Sequence, residues 1–375
     1  MSARFLTVVL ERAFNMRDGF GREIDYMRIS VIDSCNLNCY YCNPCDNNEH
    51  CHALNILSVK EVLCIVRAAT RLGIKHFRLT GGEPLLHPQL DEMVLQIKKI
   101  SGVSSVSLTT NAVLLAQHAK WLKEAGIDSI NVSLDTIDAS EYERITKKPL
   151  LEEVKHGINA AIECGIRVKI NVVLTPQTDV VALTRYVAKK GTDIRFIEMM
   201  PVGEGHTNGV EPYKKVIGTL SKLYGEPCRI NTEKTKEINS GNDKRKIPDN
   251  GPAEYYIFPE LGIRVGLIQA IHGKFCDTCN RIRVTADGRL MPCLGSSVTM
   301  DLVPDSWDFA DDAEKDFSIV RALRAAIKAK PRCHNFNDNA VTYTKTTETK
   351  TTEIKTTELK AAEVNAARNM SRIGG

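Results

Sequence analysis

Six short apolar segments alternate with five amphipathic ones between residues 26 and 200. This alternation predicts a parallel sheet with right-handed helical crossovers, because parallel strands need long connections. The predicted strands are residues 26–32, 76–80, 104–109, 129–134, 167–174 and 194–199, and the predicted helices are 59–72, 88–101, 114–125, 151–164 and 180–190. Such a chain forms either a doubly wound sheet or an incomplete (β/α) barrel. Both architectures place functional residues at the carboxyl ends of the strands.

The pattern changes after Met200. We predict a helix over residues 212–224, antiparallel hairpins at 255–258 with 263–268 and at 281–285 with 289–292, and a last helix over 320–329. The chain is therefore divided into a barrel (21–205), a C-terminal domain (206–336), a low-complexity linker (337–367) and a tail (368–375). Lys and Glu recur every five residues in the linker, a period that fits neither helix nor strand, so we expect a solvated spacer.

Composition excludes several classes of protein. A net charge of +4 over 375 residues is too small to indicate nucleic-acid binding. No run approaches eighteen apolar residues, so no membrane span is expected, and the first twenty residues lack the pattern of a secretory signal. Twelve cysteines without such a signal favour the cytoplasm, where spaced cysteines bind metal more often than they form disulfides.

Three cysteines follow the first predicted strand with the spacing C-x3-C-x2-C: Cys35, Cys39 and Cys42. Three thiolates in so short a loop can hold three irons of a [4Fe–4S] cluster and leave the fourth iron open to a small molecule. The alternative is a zinc site, which Cys45 or Cys51 would complete. Structural zinc sites prefer paired C-x2-C units, so the spacing favours the iron–sulfur cluster.

A second set, Cys276, Cys279 and Cys293, has the spacing C-x2-C-x13-C. The residues alone leave two interpretations open: another iron–sulfur cluster, or a zinc ribbon with Cys333 or His334 as fourth ligand. Arg281 and Arg283 follow directly on one face of a predicted strand, where they would bind phosphate or carboxylate oxygens.

Basic side chains lie on strands that should otherwise be apolar, at Arg28, Arg78, Lys169 and Arg195. We predict that they line an interior pocket for a polyanion, with scattered ion pairs as the alternative. Polar motifs follow three strands: Gly81-Gly82-Glu83-Pro84, Thr109-Thr110-Asn111 and Ser133-Leu134-Asp135. The Glu83 carboxylate is a candidate ligand for the α-ammonium group of an amino acid.

Taken together, both cysteine sets, the Gly-Gly-Glu-Pro turn, Asn131-Val-Ser-Leu-Asp135 and the final Gly374-Gly375 resemble the radical S-adenosylmethionine enzymes. Within that superfamily they resemble the GTP 3′,8-cyclases of molybdenum cofactor biosynthesis, from about residue 21 to 336 and again at the last residues. The resemblance implies an α/β fold: an incomplete (β/α)6 TIM-type barrel with a C-terminal antiparallel β/α extension that carries a second Fe–S cluster.

The resemblance also implies site residues. Two [4Fe–4S] clusters would be held by Cys35, Cys39 and Cys42 and by Cys276, Cys279 and Cys293. Positions that match S-adenosylmethionine contacts are Tyr41, Gly82, Glu83, Ser133 and Met200. Positions that match GTP contacts are Arg28, Arg78, Thr109, Lys169, Arg195, Arg281, Ile282 and Arg283. The terminal Gly374 and Gly375 would enter the active site, where glycine lets the backbone approach closely.

The implied activity is that of a lyase. A 5′-deoxyadenosyl radical removes hydrogen from C3′ of GTP, and the resulting radical attacks C8 of the base. The product, (8S)-3′,8-cyclo-7,8-dihydroguanosine 5′-triphosphate, would pass to cyclic pyranopterin monophosphate synthase. The expected electron donor is a flavodoxin or ferredoxin, and a homodimer is one expected assembly.

The chain departs from the family pattern at three positions. His76 stands where lysine is usual, which removes one phosphate contact; Ala112 replaces glycine and Asn43 replaces methionine. Two competing functions remain. A radical enzyme that modifies a peptide or carbohydrate would need more downstream cysteines than the four at 276, 279, 293 and 333. A non-enzymatic zinc or electron-transfer protein would not need the Gly-Gly-Glu-Pro turn.

Overall fold

An open twelve-stranded sheet runs through the described part of the chain, which in this computed structural model comprises residues 16–42, 55–202, 209–230, 251–296, 299–302, 312–334 and 336. The strands are β1 (Tyr26–Ser30), β2 (His76–Thr80), β3 (Ser105–Thr110), β4 (Ser129–Ser133), β5 (Val168–Val173), β6 (Asp193–Ile197), β7 (Cys228–Ile230), β8 (Glu254–Ile257), β9 (Arg264–Ile268), β10 (Arg281–Val284), β11 (Arg289–Met291) and β12 (Met300–Asp301). Their order is β12-β11-β10-β1-β2-β3-β4-β5-β6-β9-β8-β7.

Strands β1 to β6 are consecutive neighbours and all parallel. A doubly wound sheet would reverse its strand order part-way, so the incomplete barrel is the correct alternative. Both predicted hairpins form, as β8 with β9 and β10 with β11. Their docking was not predicted: β10 pairs parallel with β1, and β9 pairs parallel with β6. The C-terminal strands therefore extend the barrel sheet at both edges.

Helices connect the parallel strands: α1 (Val59–Arg71), α2 (Leu90–Lys98), α3 (Leu115–Glu124), α4 (Ala139–Thr146), α5 (Leu151–Glu163) and α6 (Val180–Lys189). A π-helical turn (Tyr213–Ile217) leads into α7 (Gly218–Tyr224), and α8 is Asp312–Lys328. Helix α4 was missed because it is only eight residues long and α5 follows closely. Its signal is Asp138, whose carboxylate accepts a hydrogen bond from the Glu141 N–H at 2.8 Å. No helix within these described ranges is long and apolar enough to cross a membrane.

The two faces of the barrel sheet differ in chemistry. Outward-facing side chains such as Met27, Phe77 and Phe196 are fully buried, and each contributes about 1.5–3 kcal/mol on burial. The alternate positions form the inner wall, which we define as Arg28, Arg78, Ser107, Thr109, Asn131, Lys169, Arg195, Arg281 and Arg283. Strand alternation thus reserves one apolar face for the helices and one polar face for a ligand.

Ala112 keeps the backbone conformation that glycine favours. Its φ is 66°, in the left-handed region, which costs a residue with a Cβ about 1–2 kcal/mol. Its carbonyl oxygen lies so close to Gly157 that a Cβ there would be 2.4 Å from it. The backbone of Ala112 is therefore strained, and the surrounding packing holds it in this conformation.

Candidate active site

The first cysteine loop is held against the turn that follows β2. The Gly82 N–H donates to the Ile32 carbonyl at 2.7 Å, and the Glu83 N–H donates to the Ser34 carbonyl at 2.8 Å. A Cβ on Gly82 would lie 2.2 Å from the Ser34 oxygen. The glycine is needed first for this contact between two backbone segments. Its predicted contact with a cofactor remains a prediction.

We expect Gly82→Ala to displace the cysteine loop. The overlap of the new Cβ with the Ser34 carbonyl should lower the free energy of unfolding by about 3 kcal/mol or more and reduce iron incorporation. The matched control is Gly218→Ala, at a helical position with nothing within 4 Å of the added Cβ. That change should stabilise the protein by up to about 1 kcal/mol. Urea unfolding and iron content measure both; equal stability of the two variants would contradict the packing role.

The first cysteine loop supplies three candidate cluster ligands. Cys35, Cys39 and Cys42 are free thiols, and the charges of Cys35 and Cys42 act on Cys39. Removal from water raises the pKa of Cys39 and of Cys42, so these thiols need a bound cation to ionise. Within the described residues, no three His, Cys, Asp or Glu side chains converge closely enough to hold one metal ion. A [4Fe–4S] cluster would need three thiolates, and this loop supplies three cysteines within electrostatic range of one another. Cys45 and Cys51 lie outside the described residues.

Tyr41 and Asp135 anchor the loop to the neighbouring strands. The Tyr41 hydroxyl donates to Asp135 Oδ2 at 2.5 Å, and the Val173 N–H donates to Asp135 Oδ1 at 2.7 Å. Removal from water raises the pKa of Asp135 to about 6, although both hydrogen bonds favour its ionised form. Sequence reasoning noted Asp135 only as part of a polar motif after β4. Its contact with the aromatic residue before the last cysteine was not predicted.

A small cleft, partly open to solvent, lies beside the loop. Its lining includes Cys39, Tyr41, Asn111, Ser133, Asp135 and Tyr142. Ser133 is exposed at the end of β4, as its predicted contact with a cofactor requires, and Met200 is half-buried just after β6. The cleft therefore joins the cysteine loop to the carboxyl end of β4.

Glu83 is 1% exposed and has three hydrogen-bond donors. Leu85 N–H and the Thr110 hydroxyl donate to Oε1 at 3.0 and 2.7 Å, and Asn111 N–H donates to Oε2 at 2.7 Å. Burial raises the pKa of Glu83 to about 7 in spite of these bonds. The carboxylate thus links the ends of β2 and β3. Its binding of an ammonium group remains a prediction.

The stability of the ligand-free protein should depend on Glu83 ionisation. Its pKa is about 7 in the folded state against 4.5 ordinarily, so between these pH values the folded protein holds a proton that the unfolded chain has lost. Stability therefore falls as pH rises through this window, by on the order of 3 kcal/mol.

Urea unfolding at pH 5 and pH 8 measures this dependence. We expect Glu83→Gln to reduce the difference in the free energy of unfolding between pH 5 and pH 8. Any cost of the amide itself is the same at both pH values and cancels in this difference. Glu163→Gln, an exposed position on α5, should leave that difference unchanged. The same pH difference in Glu83→Gln as in the wild type would show that this carboxyl titrates normally.

The inner wall brings most of the predicted anion-binding residues together. Arg28 pairs in register with Arg78 on one side and Arg283 on the other. Three guanidinium nitrogens are inaccessible to water and have no hydrogen-bond partner among the described residues: Arg28 Nε, Arg195 Nη2 and Arg283 Nη1. Desolvation and the neighbouring arginines lower the pKa of Arg28, and the same causes lower that of Arg283 to about 10. Cations this close together, with nitrogens that lack partners within the described part of the chain, favour binding of an anion.

The other residues predicted to contact the substrate differ in burial and in the face of the sheet on which they lie. Lys169 is 5% exposed on β5, and Thr109 is half-buried on β3. Arg195 donates from Nε to Asn171 Oδ1 at 2.9 Å, which fixes its direction. Ile282 is fully buried, and alternation puts it on the opposite face from Arg281 and Arg283. Only its backbone is therefore available to a ligand on the inner wall.

His76 lies on the inner face of β2, where the resemblance leads one to expect a lysine. Its Nδ1 is 2.8 Å from the Ser105 hydroxyl, and its Nε2 is 4.0 Å from Asp25. Desolvation lowers the pKa of His76, and Asp25 only partly opposes this. The imidazole is therefore mainly neutral at pH 7 and does not supply the positive charge of a lysine.

The second cysteine set lies beside the inner wall. Cys276 begins a 3-10 turn (Cys276–Thr278), and the charges of Cys293, Cys279 and Cys333 all act on it. Burial alone would raise the pKa of Cys279, but Arg281 and Lys330 together lower it below its ordinary value. The nearby cations thus favour the thiolate form of Cys279, the form that binds a cluster, whereas burial raises the pKa of Cys276.

Two residues that sequence reasoning missed hold this region together. Lys330 is 3% exposed and donates from Nζ to the carbonyls of Arg281 and Pro292, both at 2.7 Å. Arg22 donates from Nη1 to the carbonyls of Cys276 at 2.7 Å and Arg332 at 2.8 Å. No sequence signal marks these contacts, because the acceptors are backbone carbonyls far away in the chain.

Both cysteine sets lie in parts of the chain that match known protein families. The family model "Radical SAM superfamily" matches residues 29–182, and "Molybdenum Cofactor Synthesis C" matches residues 192–336. A GTP 3′,8-cyclase of Clostridium perfringens (strain SM101 / Type A) is 35% identical over 324 residues, which cover 86% of this chain and 95% of that protein. The chain belongs to the GTP 3′,8-cyclase family. The family prediction is thereby confirmed.

Other members of the GTP 3′,8-cyclase family match over a similar length of the chain. The protein from Peptoclostridium acidaminophilum is 37% identical over 328 residues, covering 86% of this chain and 94% of its own. Among solved structures, Streptococcus suis SuiB matches with a TM-score of 0.53 and 15% identity, over 80% of this chain and 68% of that one. That likeness concerns the fold alone and agrees with the predicted radical SAM barrel.

Proposed function

We propose that this member of the GTP 3′,8-cyclase family is itself a GTP 3′,8-cyclase, the lyase that converts GTP to (8S)-3′,8-cyclo-7,8-dihydroguanosine 5′-triphosphate for molybdenum cofactor biosynthesis. One observation carries the proposal: water-inaccessible guanidinium nitrogens without partners among the described residues line the wall beside the second cysteine set. A triphosphate supplies the concentrated negative charge that such a wall needs.

The first cluster site is assigned to Cys35, Cys39 and Cys42. When bound, its [4Fe–4S] cluster supplies the electron that cleaves S-adenosylmethionine to methionine and a 5′-deoxyadenosyl radical. Tyr41 and Asp135 fix the loop that carries these thiolates. The proposed S-adenosylmethionine contacts are Tyr41, Gly82, Glu83, Ser133 and Met200.

Cys276, Cys279 and Cys293 are assigned to a second [4Fe–4S] cluster, with Lys330 and Arg281 favouring the ionised form of Cys279. The inner wall holds GTP through Arg28, Arg78, Thr109, Lys169, Arg195, Arg281 and Arg283, together with the backbone of Ile282. These side chains orient the ribose toward the first cluster and exclude water from a reactive intermediate.

Other parts of the proposal concern organisation and partners. The division into a barrel (21–205), C-terminal domain (206–336), linker (337–367) and tail (368–375) remains a prediction, as does the entry of Gly374 and Gly375 into the site. Both glycines lie outside the described residues. The resemblance to the family is also the basis for four further proposals. They are a flavodoxin or ferredoxin as electron donor, cyclic pyranopterin monophosphate synthase as the next enzyme, a homodimer and a cytoplasmic location.

The test uses protein reconstituted anaerobically with iron and sulfide, S-adenosylmethionine and reductant. With GTP we expect 5′-deoxyadenosine and a cyclised guanosine triphosphate in matching amounts; with ATP in its place, no cyclised product. Release of 5′-deoxyadenosine at the same low rate with and without GTP would refute the substrate assignment. Iron near eight atoms per chain, against about four, distinguishes two clusters from one cluster with zinc.

A further inference from the structure

Asn131 is a buried amide in the middle of the inner wall. It is 1% exposed, and neither its Oδ1 nor its Nδ2 has a hydrogen-bond partner among the described residues. Nearly all buried polar groups in native proteins are paired, because an unpaired one costs free energy. An amide in which both atoms lack partners therefore points to a ligand group that donates one hydrogen bond and accepts another.

The position of Asn131 defines the chemistry of that group. Its register neighbours are Thr109 on β3 and Lys169 on β5. A phosphate does not satisfy the amide, since phosphate oxygens only accept hydrogen bonds and would repel Oδ1. A vicinal diol fits, because one hydroxyl donates to Oδ1 while the other accepts from Nδ2.

The position of Asn131 along the barrel axis is consistent with binding of a sugar. Asn131 lies two residues before Ser133, whose exposed side chain lines the cleft beside Cys39. Two residues of strand span about 6–7 Å. In the proposed reaction C3′ of GTP must lie next to the adenosyl carbon, so the ribose occupies the level immediately below that cleft.

We infer that the Asn131 amide binds the 2′,3′-diol of the GTP ribose and positions C3′ for hydrogen removal. This inference rests on the proposed function and adds a residue that selects ribonucleotides. The guanidinium groups of the inner wall bind the triphosphate, whereas Asn131 recognises the sugar.

The test compares binding of GTP, 2′-deoxyGTP and 3′-deoxyGTP to the reconstituted protein under anaerobic conditions. Wild type should bind GTP at least about tenfold more tightly than either deoxynucleotide. Asn131→Leu, which is similar in size, should lose this preference and bind all three with about equal affinity. Asn131→Ala gives the same comparison if the leucine variant does not fold. Thr184→Val, a buried polar-to-apolar change on α6, should keep the preference.

Thermal unfolding of the ligand-free variants separates ligand binding from a structural role. Replacing an unpaired buried amide by leucine should leave the melting temperature unchanged or raise it. Two results would overturn the inference: a preference for GTP that survives in both Asn131 variants, or an equal loss of affinity for all three nucleotides. Absence of cyclised product from wild type and GTP would instead refute the proposed function.

Discussion

Replacing Cys279 by serine should lower the iron content from about eight to about four atoms per chain. The cyclised product should fall at least about 100-fold, while 5′-deoxyadenosine is still released. The reason is spatial: Cys279 lies with Cys276 and Cys293 beside the inner wall, whereas we assign the first cluster to the loop after β1. Iron analysis and chromatography of both nucleoside products measure the outcome.

Two further cysteine variants serve as comparisons for Cys279→Ser. Cys35→Ser should also remove about four irons, but it should abolish 5′-deoxyadenosine as well as cyclised product. Cys164→Ser alters a half-buried thiol that follows α5 and should change neither iron content nor products. If Cys279→Ser keeps the full iron content and forms the cyclised product, the second cluster does not lie where we place it.

Arg28→Met should weaken GTP binding by about 10- to 100-fold, as expected for loss of charge-assisted hydrogen bonds. The ligand-free protein should lose no stability and should gain up to about 1 kcal/mol. Both effects have one cause: Arg28 lies between Arg78 and Arg283, and its Nε has no partner among the residues described. Equilibrium binding at several salt concentrations and urea unfolding measure the two quantities.

Arg167→Met provides the control, because Arg167 is exposed just before β5 and should affect neither GTP affinity nor its salt dependence. A structural role for Arg28 would give the opposite result. In that case the variant would be less stable without ligand, and its affinity for GTP would change little once it had folded.

Local patterns predicted the parts of this protein that depend on near neighbours in sequence. Strand and helix alternation predicted β1 to β6, and basic residues on strands predicted the cationic part of the inner wall. The cysteine spacings indicated two ligand sets, which remain predictions. The interpretation of Glu83 was incomplete, because it named only a ligand contact, whereas the fold also uses this carboxylate to link two strand ends. Asp135, Lys330 and Arg22 were missed as functional contacts, since each acts through a partner remote in sequence.

The docking of the sheet edges could not be predicted for the same reason. Nothing in the hairpin of β10 and β11 specifies that β10 will pair with a strand about 250 residues earlier. Asn131 shows a related limit. An asparagine on a buried strand predicts little by itself, and its significance follows only from two amide atoms that have no partner in the described ranges.

The pairing of β1 with β10 has a consequence during synthesis. A ribosome that adds about 5–20 residues per second needs roughly 10–50 s to make the residues between these strands. Throughout that interval one edge of β1 is an unpaired sheet edge, which invites aggregation with other nascent chains. Arg28 lies on that edge strand, and a charge in such a position opposes strand addition. The residue that we assign to GTP binding is thus also placed where a charge opposes aggregation until the C-terminal strand of the same chain has been made.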